Sequence, residues 1–143
     1  MSEKFFLKLL AVSSAHAEMS RNAFTKLGLT EGQPKIFYIL RRNDGIVQKD
    51  LADYCGIRQS TLTVLLTKME TQGLICREAC YISGGKRAFR ILLTNEGHAI
   101  ADRLEEIVEE LEAKCFSGFS GKEREQLLNM LTRVEGNIKD EKQ

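Results

Sequence analysis

Residues 48–67 carry the pattern that most restricts how this chain can fold. Two short helices that cross closely need a small residue at the crossing, a turn residue that tolerates positive φ, and apolar side chains at fixed offsets. With Gln48 as the first position, Ala52 lies at the crossing and Gly56 in the turn. The other core offsets are filled by Leu51, Cys55, Ile57, Leu62 and Leu65. Agreement at all these positions predicts a helix-turn-helix over residues 48–72.

Periodic apolar residues predict further helices on both sides of this motif. Steps of three and four predict an amphipathic helix over residues 5–27, ended by Gly28. Capping-box patterns, Thr30 with Gln33 and Ser120 with Glu123, open a second and a last helix, and Pro34 falls in the first turn of the second. Residues 41–46 are predicted to form a turn, and Thr94 is predicted to cap a helix that runs to about Phe116.

Two β-prone runs flank Gly84 and Gly85 and predict a hairpin, or wing, over residues 74–93. The predicted fold class is therefore mainly α with a small β wing. A winged helix-turn-helix lobe would be flanked by N- and C-terminal helices. Those outer helices carry more apolar surface than one such lobe can cover, and uncovered surface of that size indicates a dimer interface.

The second helix of the motif presents short polar and methyl-bearing side chains on its outer face. Such side chains read base edges in the major groove of DNA, although they are equally typical of a solvated surface. The adjacent wing favours DNA, because its basic tip could reach the minor groove or the backbone. The predicted DNA-binding residues are Arg58, Gln59, Ser60, Thr61, Thr63, Thr67, Lys68, Lys86, Arg87 and Arg90. Of these, Gln59, Ser60, Thr63 and Thr67 would read bases, and Arg58, Lys68 and Arg87 would contact phosphates or the minor groove.

Three stretches of sequence resemble the MarR (multiple antibiotic resistance) family of winged-helix regulators: LGLTEGQPKIFYIL, QKDLADYCGIRQSTLTVLLTKMETQGLICR and KRAFRILLTNEG. The resemblance is closest over residues 27–97. It implies one domain over residues 1–143, with dimerisation helices at 1–28 and 95–143 and the winged lobe at 29–94. It also implies recognition helices in successive major grooves of a pseudo-palindromic operator, and a wing arginine, here Arg87, in the minor groove.

The sequence departs from the family pattern at three places. Gly85 stands where an Asp usually holds the wing arginine, and the wing is longer than is common. Arg58 stands where a capping Ser usually opens the recognition helix. Because an Arg side chain cannot accept a backbone N–H bond, the helix is predicted to start later, at Ser60, and to leave Arg58 for a phosphate.

The net charge of +1 is not typical of a nucleic-acid-binding protein. The charge is, however, unevenly distributed along the chain, with a basic middle segment that is typical of such a protein. Residues 41–93 hold nine basic and five acidic side chains, a net of +4, and residues 1–40 have a net of +2. Residues 94–143 hold seven basic and twelve acidic ones, a net of −5. A solvated face turned away from DNA is predicted for Glu105, Glu106, Glu109, Glu110 and Glu112, which would repel phosphates.

The four cysteines leave a redox role open. Cys55 occupies a core offset, Cys76 and Cys80 share one face of a strand, and Cys115 lies late in a helix. Thiol sensing requires an accessible cysteine of low pKa, and no metal site is predicted, since the chain has no Cys-x-x-Cys and no nearby His pair. Lys8 interrupts the apolar run near the N-terminus, so a helix rather than a signal peptide is predicted there. We therefore expect a cytoplasmic protein with free thiols and no membrane partner.

An effector site is the least constrained expectation. The resemblance implies a small, often aromatic, effector between the dimer helices and the DNA-binding lobe. Val12, His16, Met19 and Tyr38 are the candidate contacts, although a His on an apolar helix face is more often part of a helix seam.

No catalytic or cofactor-binding pattern is present. Neither His16 nor His98 lies near a nucleophile with an orienting acid, and Gly84-Gly85-Lys86 fails the phosphate-binding loop pattern because Arg87 follows it. The sequence thus predicts no enzyme, no cofactor and no metal, but a sequence-specific DNA-binding transcriptional regulator, a repressor released by a small effector. Two alternatives stay open: a redox-sensing regulator of the same fold, and a winged-helix protein-interaction module that does not bind DNA.

Overall fold

The structure is a computed structural model that describes residues 4–140. The elements, in chain order, are α1 (Phe5–Thr25), α2 (Gln33–Arg42), β1 (Ile46–Val47), α3 (Gln48–Cys55), α4 (Gln59–Thr71), β2 (Ile75–Tyr81), β3 (Arg87–Leu93), α5 (Asn95–Cys115) and α6 (Gly121–Asp140). The chain divides into two compact units, the first ending at Glu109 and the second beginning at Glu110. The mainly α fold with a small β wing is confirmed. The predicted terminal helical segments include residues 1–3 and 141–143, which lie outside the described residues.

The helix-turn-helix forms where the sequence predicted it. Helix α3 begins and ends at the expected residues, and Gly56 after it has a φ of 68°. Leu51, Ala52, Cys55 and Leu62 are buried, and Ile57 and Leu65 pack half-buried against the same core. The left-handed turn favours Gly because it has no Cβ to clash with the backbone.

The core of the first unit lies between the helix-turn-helix, α2 and one face of the sheet. Its fully buried side chains include Ile36, Phe37 and Leu40 from α2, and Leu62, Leu66 and Met69 from α4. Ile91 closes it from the sheet and Leu104 from α5. Each buried side chain of this size contributes about 1.5–3 kcal/mol to the free energy of unfolding, so the orientation of α4 is set by its inner face.

The sheet has one strand that the sequence pattern did not predict. Strand β1 pairs with β3 through Ile46 opposite Ile91, and the strand order is β1-β3-β2. A strand of two residues shows no alternation, which explains why residues 41–46 were predicted only as a turn. The side chain of Asp44 supports this edge by accepting a hydrogen bond from the backbone N–H of Leu93 (2.9 Å).

Helix α2 does not begin as its capping-box pattern predicts. The N-cap is Gly32, with a φ of 91° and no side-chain capping bond. One of the two capping-box bonds forms, since the Gln33 side chain accepts the Thr30 N–H (3.1 Å). The other does not form: the Gln33 N–H donates to the Thr30 carbonyl (3.2 Å), and the Thr30 hydroxyl accepts from Lys68 Nζ (3.3 Å). The buried Gln33 side chain also donates to the Gln72 side chain (3.2 Å), which joins this loop to the end of α4. Pro34 lies in the first turn, as expected.

The two later caps form as predicted. Thr94 Oγ1 accepts the N–H of Gly97 (3.1 Å) and donates to the carbonyl of Gly73 (2.7 Å). In the second unit, Ser120 and Glu123 exchange the two reciprocal bonds of a capping box, at 2.9 and 3.1 Å. Across residues 4–140, no helix has both the length and the apolar content needed to cross a membrane.

Candidate nucleic-acid interface

The outer face of α4 is exposed, as the sequence predicted. Leu62, Leu66 and Met69 are buried on the inner side. Gln59, Ser60, Thr61, Thr63, Val64 and Thr67 are exposed on the outer side. Within the part of the chain that the structure describes, the side chains of Gln59, Ser60 and Thr61 make no hydrogen bond. The first turn of α4 therefore offers unoccupied donors and acceptors to a partner.

Arg58 is the N-cap residue of α4, and the predicted later start at Ser60 is wrong. The helix begins at Gln59, and Arg58 is extended, with φ −71° and ψ 148° and no side-chain capping bond. Extended backbone geometry alone is enough to begin the helix, so the first-turn N–H groups lack a side-chain acceptor. An anion is favoured at such an open helix N-terminus. The exposed guanidinium of Arg58 lies at the same end of the helix and has no partner among residues 4–140.

The hydroxyls of Thr63 and Thr67 are already engaged within the protein. Thr63 Oγ1 donates to the carbonyl of Gln59 (2.9 Å) and accepts from Gln48 Nε2 (2.9 Å). Thr67 Oγ1 donates to the carbonyl of Thr63 (2.8 Å) and accepts from Arg77 Nη2 (2.9 Å). These two threonines can offer a base edge their methyl groups and one remaining lone pair, but no free donor.

The wing brings Arg87 to the same side of the sheet as α4. Tyr81 pairs with Arg87, and the tip is closed by a hydrogen bond from the N–H of Ile82 to the carbonyl of Lys86 (2.9 Å). The guanidinium of Arg87 lies 5.7 Å from the ring centre of Phe89, two residues along the strand. A cation is attracted to the face of an aromatic ring, so Phe89 helps to hold the Arg87 guanidinium at the wing.

A groove of about 380 Å³ separates the wing from the helix-turn-helix. It brings together four residues of the predicted site: Gln59, Thr63, Lys86 and Arg87. It also contains Gln48, Lys49 and Arg77, which the sequence reasoning missed. The sequence could have revealed Arg77, because it lies two residues after Ile75 in a strand and therefore on the same, inward face of β2. A charge on an inward face needs a partner. The basic groove walls suit a phosphate backbone.

Two predicted DNA contacts lie elsewhere. Arg90 is on the opposite face of β3 from Arg87, and its Nη1 donates to the carbonyl of Gly45 (3.2 Å). Lys68 Nζ donates to Thr30 Oγ1 in the loop before α2 (3.3 Å). Both cations therefore join parts of the first unit, a role that charge and sequence spacing alone did not reveal.

The acidic face of α5 is not simply solvated. Glu105 forms an ion pair with Arg42 at 2.6 Å and lies 3.8 Å from Arg41, and Asp102 pairs with Arg41 at 3.0 Å. The hydrogen bond from Arg42 lowers the pKa of Glu105 and raises that of Arg42. The predicted solvated face is wrong for Glu105, because α2 lies against it with two arginines. The net charge of +4 over residues 41–93 accordingly overstates the positive charge free to meet DNA.

The four cysteines are free thiols in different surroundings. Cys55 is buried, and burial raises the pKa of its thiol, which disfavours the reactive thiolate. Cys76 and Cys115 are exposed and Cys80 is half-buried. Cys76 and Cys80 share a strand face but are four residues apart, roughly 13 Å, which is too far for a disulfide. Among the described residues, no group of three potential ligands could hold a metal ion.

The cavity beside α1 is lined by residues other than the four candidate effector contacts. This cavity of about 580 Å³ lies between the second half of α1 and the start of α2, and includes Ser20, Arg21, Phe24 and Lys35. Val12, His16, Met19 and Tyr38 are not part of its lining. His16 is exposed, with Nδ1 3.5 Å from Ser20 Oγ, and the Tyr38 ring lies 3.7 Å from the Arg42 guanidinium.

Comparison with known proteins agrees with this geometry. The sequence model of the MarR family matches residues 29–80. A MarR-family transcriptional regulator from Silicibacter pomeroyi superimposes with a TM-score of 0.76 at 27% identity, over 94% of this chain and 90% of that one. The transcriptional repressor CouR bound to a 23-mer DNA duplex gives a TM-score of 0.79 at 22% identity, over 92% of both chains. NadR in complex with 4-hydroxyphenylacetate gives 0.75 at 23%, over 93% of both.

The family match covers α2, the helix-turn-helix and most of β2, and it ends before the basic wing tip. The Silicibacter pomeroyi protein is named a transcriptional regulator, which is the class of protein that the sequence led us to expect. Residues 29–80 of this chain thus match the MarR family, and the chain has the winged helix-turn-helix fold of the MarR-family transcriptional regulator from Silicibacter pomeroyi.

Proposed function

We propose that the protein is a repressor that binds a pseudo-palindromic operator as a homodimer and is released by a small effector. The observation that carries this proposal is the pairing of two features across one groove. The first turn of α4 holds unoccupied polar groups, and the wing facing it holds Arg87 against Phe89. A recognition helix and a wing so arranged can contact a major groove and its flank together.

The proposed contacts divide into two kinds. Gln59 and Ser60, with Thr61, Thr63 and Thr67, face the bases. Arg58, Lys86 and Arg87 meet phosphates or the minor groove, and their unpaired charges give the interaction its dependence on salt. Lys68 and Arg90 are proposed as outer phosphate contacts, for which each would have to leave its present partner, Thr30 or Gly45.

Exposed apolar side chains support a homodimer. Helices α1 and α6 have no buried residue. In α1, Phe5, Phe6, Leu7, Leu9, Leu10 and Val12 are all at least 42% exposed. In α6, Leu128, Met130 and Ile138 are likewise exposed. Apolar faces of this extent are typical of surfaces that another subunit covers, so these helices are proposed as the dimer interface.

Release by an aromatic effector is supported by the similarity to NadR, whose structure contains 4-hydroxyphenylacetate. Repression is supported by the similarity to CouR, which is named a transcriptional repressor. The cavity beside α1 is mostly apolar and carries Arg21, so it suits a small aromatic acid better than the four residues chosen from the sequence do. A cytoplasmic location, where both DNA and metabolites are available, follows from this function.

The test is to titrate the purified protein against the DNA upstream of its own gene at several salt concentrations. A regulator should select one site and lose affinity steeply as salt rises. The variant Arg87→Ala should weaken operator binding and lower the salt slope by about one, with dimerisation unchanged. The matched control is Arg103→Ala, which removes the same charge from an exposed position on α5 outside the groove, and should leave affinity unchanged.

Two other outcomes would redirect the function. Absent or salt-independent binding to every upstream fragment would favour the protein-interaction module. If peroxide releases the operator from the wild-type protein but not from a variant with all four cysteines changed to Ser, the regulator is a redox sensor. The accessible thiols of Cys76 and Cys115 keep that second candidate open to test.

A further inference from the structure

Arg77 is the one wing side chain that reaches the recognition helix with a polar group. It lies on the inward face of β2, opposite the buried Ile91. Its Nη2 contacts two neighbouring atoms of α4, the Thr67 hydroxyl at 2.9 Å and the Thr63 carbonyl at 3.3 Å, which are themselves joined by a hydrogen bond of 2.8 Å. Among residues 4–140, these are the only side-chain hydrogen bonds between the wing and α4. Arg77 thus fixes the sheet to the helix at a defined height along both elements.

The polar character of Arg77 is not explained by packing. Its Nε is buried and has no hydrogen-bond partner among the described residues. A buried donor without a partner costs free energy that an apolar side chain of the same length would avoid. The Thr67 hydroxyl is a suitable acceptor for Arg77, because it donates its own hydrogen bond to the Thr63 carbonyl and its lone pairs stay free to accept one. Burial of the Arg77 side chain would not by itself require these hydrogen bonds to α4, so they indicate a separate role for its guanidinium.

We propose that Arg77 is a positioning residue, which sets the angle between the wing and the recognition helix so that both can contact the operator together. The inference rests on the proposed DNA-binding function. In this view the Thr67 hydroxyl acts through Arg77, and only the methyl group of Thr67 is left to face a base. Of the three guanidinium nitrogens of Arg77, Nη2 is engaged by α4 and Nε is buried, so a direct contact with a phosphate is left to Nη1 alone.

The length of the wing gives Arg77 its influence. Tyr81, which pairs with Arg87, lies four residues further along β2 than Arg77, roughly 13 Å away. A tilt of the wing by about 10° at the level of Arg77 moves the tip by about 2 Å at that strand length. If α4 is already bound in the major groove of the operator, a displacement of this size takes Arg87 out of hydrogen-bond distance of the DNA beside it.

The experiment compares the full-length wild-type protein with Arg77→Met, which keeps the length and apolar stem of the side chain but removes its donors. Affinities are measured over a range of salt for the operator duplex and for a random duplex of equal length. We expect operator binding to weaken about tenfold and random-duplex binding to change less than about twofold, with the salt slope unchanged. Equal loss on both duplexes with a slope lower by about one would overturn the proposal, since it would make Arg77 a direct phosphate contact.

A second variant keeps the test valid if Arg77→Met folds poorly by circular dichroism. Thr67→Val removes the acceptor but leaves Arg77 in place, and should weaken operator binding in the same selective way. Where both fold, the double variant should be no weaker than Arg77→Met alone. Additive losses would assign Thr67 to base reading and contradict the proposed path through Arg77.

A readout without DNA separates this proposal from the proposed function. Nitroxide labels at Ser60→Cys and Lys86→Cys, in a background with Cys76, Cys80 and Cys115 changed to Ser, report the distance between α4 and the wing tip. Arg77→Met should broaden the distance distribution, and an unchanged distribution would overturn the positioning role. If the wild-type protein binds neither duplex but Arg77→Met still broadens the distance distribution, the proposed DNA-binding function is refuted and the positioning of the wing by Arg77 is not.

Discussion

Gly97, in the first turn of α5, lies where this helix passes close to the backbone of Leu74. A Cβ built at this position would overlap the carbonyl oxygen of Leu74 and lie 3.1 Å from its carbonyl carbon. The third neighbour, Leu93 Cδ2, would be 3.2 Å away. The backbone of Leu74 cannot yield alone, because its carbonyl accepts a hydrogen bond from the N–H of Thr94 (3.1 Å). Gly97→Ala therefore has to move the start of α5 away from the wing.

The expected magnitude follows from three contributions. Overpacking costs about 1–3 kcal/mol, and disturbing the Thr94 cap costs about 1 kcal/mol more. Replacing Gly by Ala inside a helix returns about 1 kcal/mol through its better helix propensity. The net loss should be about 1–3 kcal/mol in the free energy of unfolding, measured by urea titration at a fixed protein concentration.

Gly136 provides the matched control. It lies inside α6, and a Cβ there would meet no atom within 4 Å. Gly136→Ala should therefore raise the free energy of unfolding by about 0.5–1 kcal/mol. If Gly97→Ala were as stable as the wild type, the close approach of α5 to Leu74 would be refuted. If both variants lost stability equally, the loss would not come from the overlap.

Two further predictions follow from the charged groups. Arg58→Ser supplies the acceptor that the N-cap of α4 lacks and should stabilise the protein by about 1 kcal/mol in urea titration, yet weaken operator binding; tighter operator binding would contradict a phosphate contact at Arg58. Glu105→Gln should cost about 0.5 kcal/mol at pH 7, since Arg42 is partly exposed and solvent screens the pair. Because Arg42 lowers the pKa of Glu105 in the folded state, this contribution is complete above about pH 4.3, the unfolded value, and is lost as the pH falls through the folded pKa. A difference between Glu105→Gln and wild type that persists at pH 2 would show that the ion pair is not its cause.

Local spacing was sufficient for much of the fold. The positions of Ala52 and Gly56 depend on contacts between residues close in sequence, so α3 and the turn could be predicted to the residue and the start of α4 to within one residue. The caps at Thr94 and Ser120 are local in the same way. At Thr30 only one of the two capping-box bonds forms. The Thr30 hydroxyl and the Gln33 amide nitrogen meet Lys68 and Gln72, which are 38 and 39 residues away and which no local pattern contains.

In the candidate site, too, local spacing predicted some residues and tertiary packing decided the others. The exposed residues of α4 follow from helical periodicity, because the buried inner face dictates which side chains point outward. Arg77 and Lys49 were missed, and Arg90 and Lys68 were assigned to DNA, because each depends on which elements the fold brings together. Charge in the sequence says that a residue is a cation, but only the register of β2 and β3 decides the face on which it lies.

The sequence by itself determined the order of the elements, the helix-turn-helix and the side of α4 that faces outward, since these depend on periodicity and turn chemistry within a few residues. The tertiary structure decided which cations remain free to meet DNA. Arg41 and Arg42 pair with carboxylates on α5, and Arg77 joins the wing to α4. Long-range pairing of this kind depends on the packing of distant segments, and a net charge counted along the chain does not contain it.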